Sequence, residues 1–155
     1  MDAMINGSPA FLVIPLTLLI VVGGVMLILG SLAQLITYPI LRFVLRKRED
    51  YLVDKLDTYA PKRIKGYARK TYGKSWLTGS HAAFMIVTRF IYKFVYKFTR
   101  EEMESWRAGI KKELGSDYFI YWLYITMLNV TMYGGIMSVV GMLIEYQFDI
   151  AGAFR

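Results

Sequence analysis

The chain has no cysteine, a single histidine, and two long stretches without any charge. Lacking cysteine, it can form no disulfide, no thiolate nucleophile, no iron–sulfur ligation and no thioether haem attachment. One histidine, His81, excludes a two-histidine haem site, a histidine-rich zinc site and an HExxH arrangement within one chain. No catalytic signature is left, so the sequence predicts no catalytic residue, no metal ligand, no cofactor and a non-enzymatic role. His81 itself reads as a polar surface residue.

The absence of charge is the more informative gap. Ala3 to Leu41 is an uncharged run of 39 residues, and Tyr118 to Ile144 is another of 27. Roughly 20 apolar residues cross a bilayer core as helix. The composition is 55% hydrophobic and 20% charged, with a mean hydropathy of +0.37. Apolar and charged residues must therefore be segregated along the chain. Apart from tyrosine neither run holds an ionisable residue, which argues against a proton or ion pathway built by this chain alone. A cleaved signal peptide is the competing reading of the first run, with Ser31-Leu32-Ala33 as a small-residue site. The start MDAMINGSPA, with an acid and no base, and the length of the apolar stretch both speak against it.

Positive charge fills the space between the runs. Of the 19 Lys and Arg residues, 18 lie between Arg42 and Lys112, and only Arg155 falls outside. Short Lys/Arg-rich segments stay on the cytoplasmic side. The expected fold is an all-α integral membrane protein with two transmembrane helices, 10–41 with a cytoplasmic extension and 117–144. They are joined by a basic cytoplasmic segment, 42–116, and the tails 1–9 and 145–155 lie outside. The bacterial inner (cytoplasmic) membrane fits this bias, and so does the mitochondrial inner membrane.

Within the first run, Thr17, Gly24 and Ser31 recur every seven residues with Gly23 and Gly30 beside them. In the second, Thr131, Gly134, Ser138 and Gly141 alternate by three and four. Small residues let helices approach closely in lipid, so both stripes are candidate helix-packing faces. Asn129, near mid-membrane, needs a hydrogen-bond partner on another helix or within its own. Tyr118, Phe119, Tyr121, Trp122 and Tyr124 form an aromatic belt at the headgroup level.

Three amphipathic helices are expected between the spans, at about 49–59, 81–98 and 100–114. The first carries Leu52, Leu56 and Tyr59 on one side and stops at Pro61. Thr99 with Glu102 is a capping box that opens the third, and Gly115 closes it. The middle one contains TRFIYKFVYKFTR, with Arg89, Lys93, Lys97 and Arg100 within roughly 80° of a helical wheel. Phe84, Val87, Ile91, Phe94, Val95 and Phe98 gather opposite. Crossing the membrane would cost about 2.5–3.5 kcal/mol for each central cation against roughly 0.3–0.6 returned per strongly apolar residue. The helix is therefore expected to lie flat at the cytoplasmic interface, aromatic back among acyl chains, with the same face packed on a partner protein or a third span as the alternatives, and the segment is expected to be a thin platform with little apolar surface left for a core of its own.

Other clusters have plainer readings. Asp50, Asp54 and Asp57 share a helical face and read as a solvated face paired with nearby cations. Lys62, Arg63, Lys65, Arg69, Lys70 and Lys74, interleaved with Tyr67 and Tyr72, resemble a nucleic-acid patch in composition. Topology already requires those cations, so anionic lipid or an acidic partner is favoured over nucleic acid. Lys62, Arg63, Arg69, Lys70, Arg89, Lys93, Lys97 and Arg100 are the expected headgroup-binding residues. The implied role is a non-catalytic accessory or scaffold subunit packing against other integral membrane subunits. The alternatives are a stand-alone lipid-interacting or stress-related membrane protein and a non-ligating subunit of a membrane enzyme or secretion complex.

Overall fold

Long uncharged runs of Leu, Ile, Val and Ala favour helix, because in the absence of water every backbone group must be satisfied within the segment. In a computed structural model of the chain, which describes residues 9–65, 81 and 83–148, both runs are helical. The first helix, α1, spans Pro9–Leu45 and passes unbroken through Pro15 and Pro39. A turn of 3-10 helix, Arg46–Arg48, leads into α2, Glu49–Tyr59. Three more follow: α3, Ile86–Phe94, α4, Arg100–Leu114, and α5, Tyr118–Phe148. Among the described residues there is no strand, and α1 and α5 are long and apolar enough to cross a membrane. At 1.5 Å per residue their 37 and 31 residues extend about 56 and 46 Å, more than the ~30 Å of a hydrocarbon core.

The chain divides into two units. The first comprises Met1–Gln34 and Met127–Arg155. In it α1 and α5 touch through small residues, and contact positions fall on α5 as they rise on α1: Ile20 meets Gly141, Gly23 meets Ser138 and Gly134, and Gly30 meets Thr131. The pair is therefore antiparallel. Its outer surfaces are apolar and exposed, with Ile14, Leu18, Val21, Ile28 and Leu29 on α1 and Val139, Met142 and Leu143 on α5.

The second unit, Leu35–Thr126, has a core. Leu41 and Leu45 on α1, Leu52 and Leu56 on α2, Met103, Trp106, Ile110 and Leu114 on α4, and Tyr121, Tyr124 and Ile125 on α5 are all buried. Spacings of three, four and seven bring each set to one helix face. Sheltering a side chain of this size contributes roughly 1.5–3 kcal/mol. The thin coreless platform expected from the sequence is thus corrected: the ends of the two long helices supply the apolar surface that the basic segment lacks. The aromatic belt divides for the same reason. Tyr121 and Tyr124 are buried, while Phe119 and Trp122 are exposed.

The local signals at helix ends are realised. Thr99 Oγ1 accepts from the Glu102 N–H at 3.1 Å, and the Thr99 N–H donates to Glu102 Oε2 at 2.8 Å. Gly115, at φ 56°, ends α4 in a backbone state that side chains disfavour. Ala60 leaves α2 in an extended state (φ −63°, ψ 143°), as a residue before proline should. Helices α2 and α4 approach so closely that a Cβ on Gly109 would lie 2.8 Å from Tyr59 Cβ. Glu113 of α4 receives the Tyr59 hydroxyl at 2.6 Å and the Tyr51 hydroxyl at 3.0 Å.

Candidate membrane-facing surface and buried histidine

A continuous helix over 81–98 does not form. The Phe84 and Met85 N–H groups donate to the His81 carbonyl, and Met85 is extended (ψ 133°) before α3 begins at Ile86. The helix ends at Phe94, and Lys97 adopts φ 52°. Two causes act together. Ile86, Val87 and Thr88 are β-branched and weak at propagating helix. Phe98 gains more by folding back into the core, where its ring lies 5.3 Å from Tyr92, than by continuing outward. The left-handed turn at Lys97 makes that reversal, and the Phe98 N–H donates to the Tyr92 carbonyl at 3.0 Å.

The shortened helix still presents two faces. Inward, Tyr92 packs on Trp106, ring centres 6.0 Å apart. Outward, Phe90, Ile91, Phe94 and Val95 are 61, 44, 68 and 69% exposed. Phe90 and Phe94 lie parallel with centroids 6.4 Å apart, and Lys93 Nζ sits 5.6 Å from the Phe94 ring centre. Of the expected lipid-facing set, Ile91, Phe94 and Val95 lie on this ridge. Phe84 and Phe98 instead pack into the core, and the Val87 side chain lies outside the description.

The expected single edge of four cations is likewise redistributed. Lys93 stays on α3 and Lys97 occupies the turn. Arg100 begins α4 and pairs with Glu104 at 2.7 Å. The Arg89 side chain, and Arg69 and Lys70 altogether, lie outside the described residues. Lys62 is exposed in the turn after Pro61, while Arg63 donates to the Tyr96 carbonyl and so ties that turn to the end of α3. Asp54 is exposed and Asp57 half-buried, and among the described residues no group of three acidic or histidine side chains is placed to hold a metal ion.

The packing stripes meet each other. On α5, Thr131, Gly134, Ser138 and Gly141 all touch α1. On α1 the contact line is Gly23 and Gly30, extended by Ile20, Leu27 and Gln34. Thr17 is exposed, even a Cβ added to Gly24 would come no nearer than 4.0 Å to Ser138 Oγ, and Ser31 donates to the Leu27 carbonyl of its own helix at 2.7 Å. Gln34 Nε2 donates to Thr131 Oγ1, and Thr131 donates in turn to the Met127 carbonyl at 3.0 Å. Asn129 is half-buried and engaged. Sequence reasoning missed Gln34 and Gly109. Gln34 follows Gly30 by four residues, which marks it as the only amide on the Gly23–Gly30 line.

His81 is not a surface residue. It is 6% exposed, with its ring 5.8 Å from that of Tyr121 and 5.2 Å from that of Tyr124. Among the described residues its Nε2 has no hydrogen-bond partner. Burial alone pushes the imidazole down to about 3. Beside it, Arg107 Nε donates to the Ala83 carbonyl at 2.7 Å, with its guanidinium 5.8 Å from the Phe84 ring centre. Both the burial and the orphan nitrogen depend on α5 rings forty residues away in sequence, and no local pattern announces them.

No protein-family model matches the chain, and neither a curated protein nor a solved structure matches it.

Proposed function

We propose that the chain is a non-catalytic accessory or scaffold subunit of a membrane protein complex, in the bacterial inner membrane or its mitochondrial counterpart. Helices α1 and α5 anchor it with both termini outside, and its basic unit rests on the cytoplasmic leaflet. The observation that carries this reading is the ridge of Phe90, Ile91, Phe94 and Val95, exposed on a helix that also carries Lys93, in a unit whose exposed apolar side chains also include Leu35, Ile36 and Phe43 on α1 and Phe119 and Trp122 on α5. Such a surface suits a membrane interface, where rings reach the acyl boundary and each cation near anionic headgroups contributes about 1 kcal/mol. The exposed aliphatic faces of α1 and α5 support lipid as their surroundings, since an apolar surface of that extent is unusual on a soluble monomer.

The test has two arms. Gentle extraction from native membranes, followed by sizing and crosslinking, should recover the chain in a larger assembly; a lone monomer would refute the subunit role. In reconstituted full-length protein, a fluorophore replacing Phe94 should be quenched by shallow spin-labelled lipid, more strongly in anionic than in neutral bilayers.

A stand-alone lipid-interacting protein is the second reading. It is favoured by the mutual occupation of the small-residue stripes, which leaves Gly23, Gly30 and Gly134 no room for a foreign helix. Under that reading the extracted species is a monomer carrying anionic lipid.

A further inference from the structure

The turn closed by the His81 carbonyl joins the buried aromatic cluster of the second unit to the N-terminus of α3, which begins two residues after Phe84. It is held by two unlike contacts. Arg107 fastens the Ala83 carbonyl from α4, and the His81 imidazole inserts against Tyr121 and Tyr124 of α5. The second contact holds only while the ring is neutral. Among the described residues, the titratable groups against the ring are the phenols of Tyr121 and Tyr124 on α5; the Tyr38 ring of α1 lies 5.7 Å from that of Tyr124, and Arg107 of α4 holds the neighbouring Ala83 carbonyl. None of these is a carboxylate, so a proton on His81 would meet neutral rings and no counter-charge from them.

We propose that His81 is a proton-sensitive latch: when protonated it leaves its seat against Tyr121 and Tyr124, the 81–84 turn opens, and the N-terminal end of α3 loses that tether while Tyr92 still holds the helix to the core.

The sign follows from the burial. A base held below its ordinary value contributes stability above the unfolded value, near 6.5, and loses it as pH falls toward about 3. The open turn binds the proton at the ordinary value, so its population grows up to tenfold per pH unit below about 6. This is a local opening, and it requires no unfolding of α4 or α5. It holds whether the ridge meets lipid or another subunit.

Hydrogen exchange on the full-length protein in zwitterionic nanodiscs tests it, read at the Phe84 and Met85 amides, whose acceptor is the His81 carbonyl. After correction for intrinsic rates, wild-type protection should fall close to tenfold per unit between pH 6 and 4.5. His81→Phe, which keeps a ring and has no proton to gain, should show a flat profile. A flat wild-type profile, or an equal slope in His81→Phe, overturns the latch. Should His81→Phe fail to fold, the wild type decides alone. His81 is the only histidine, so its imidazole resonance is unambiguous. A resonance that titrates with a midpoint near 6.5 while the amides stay protected rules the latch out, and one that shifts only as they lose protection supports it.

Discussion

Gly134 and Gly23 face each other so closely that a Cβ on Gly134 would lie 2.5 Å from the Gly23 carbonyl oxygen. The obstructing atom is backbone, which cannot swing aside as a side-chain tip can. Gly134→Val should therefore separate α1 from α5 and cost about 1–3 kcal/mol or more, the range for overpacking. Gly24→Ala is the control. Its new Cβ would meet Ser138 Oγ at 4.0 Å, an ordinary contact, and alanine is the better helix former, so a gain of roughly 0.5–1 kcal/mol is expected. Thermal loss of helicity in mild detergent reads both.

Gln34→Leu removes the amide that donates to Thr131 Oγ1 but leaves Thr131 its bond to the Met127 carbonyl. No orphan donor is created, so the loss should be small, ~0.6 kcal/mol and at most about 1–2 for an interhelical bond in lipid. Thr131→Val, which deletes both ends of the relay, should cost no less. The same detergent melts measure the pair. A loss well above that range for Gln34→Leu would mean that the longer 3.5 Å bond from the same amide to the Met127 carbonyl contributes as well.

The clamp between α2 and α4 should respond to acid. The Tyr59 hydroxyl holds the Glu113 carboxyl below its ordinary value, partial burial opposes this, and Tyr51, Lys55 and Lys112 assist. A carboxylate lowered on folding contributes stability above its unfolded value and loses it as pH falls through the folded one. Melting temperature should therefore drop as pH falls from about 5 toward 3. In Glu113→Gln that part of the slope should vanish, and Tyr59→Phe should reduce it more than Tyr51→Phe, matching the order of the two contacts.

How far the sequence prepared for this structure depends on the range of each determining contact. The two long helices follow from uninterrupted lack of charge, and the ends of α2 and α4 from Pro61, Thr99, Glu102 and Gly115, all of which act within a turn. The side of α1 that meets α5 was less legible. The heptad of Thr17, Gly24 and Ser31 is as regular as the line through Gly23 and Gly30, and only the partner helix distinguishes them. The same limit applies to α3, whose periodicity continues past Phe94 although Phe98 is drawn back by Tyr92. It applies again to His81, which local composition makes polar surface and tertiary packing makes core. On the candidate surface, the cations were visible as a set, but their division among a helix, a turn and an ion pair was not.

Lys97 joins the stability of the second unit to its surface, and the two can be pulled apart. Its φ of 52° costs an ordinary side chain roughly 1–2 kcal/mol, which glycine largely avoids. Lys97→Gly should hence raise stability by up to about 1 kcal/mol, after the greater flexibility of glycine in the unfolded chain is subtracted. The same change removes a cation beside Phe94 and Val95. If the ridge rests on an anionic leaflet, its association should weaken by about 1 kcal/mol, and the difference should shrink with added salt. Lys97→Val, β-branched in a left-handed turn, should instead lower stability while removing the same charge. Melting temperature and ridge quenching in anionic nanodiscs, measured on both variants, separate the effects: opposite changes in stability with equal losses in quenching are expected. Loss of quenching in Lys97→Val alone would tie the contact to the shape of the turn and leave the charge without a role.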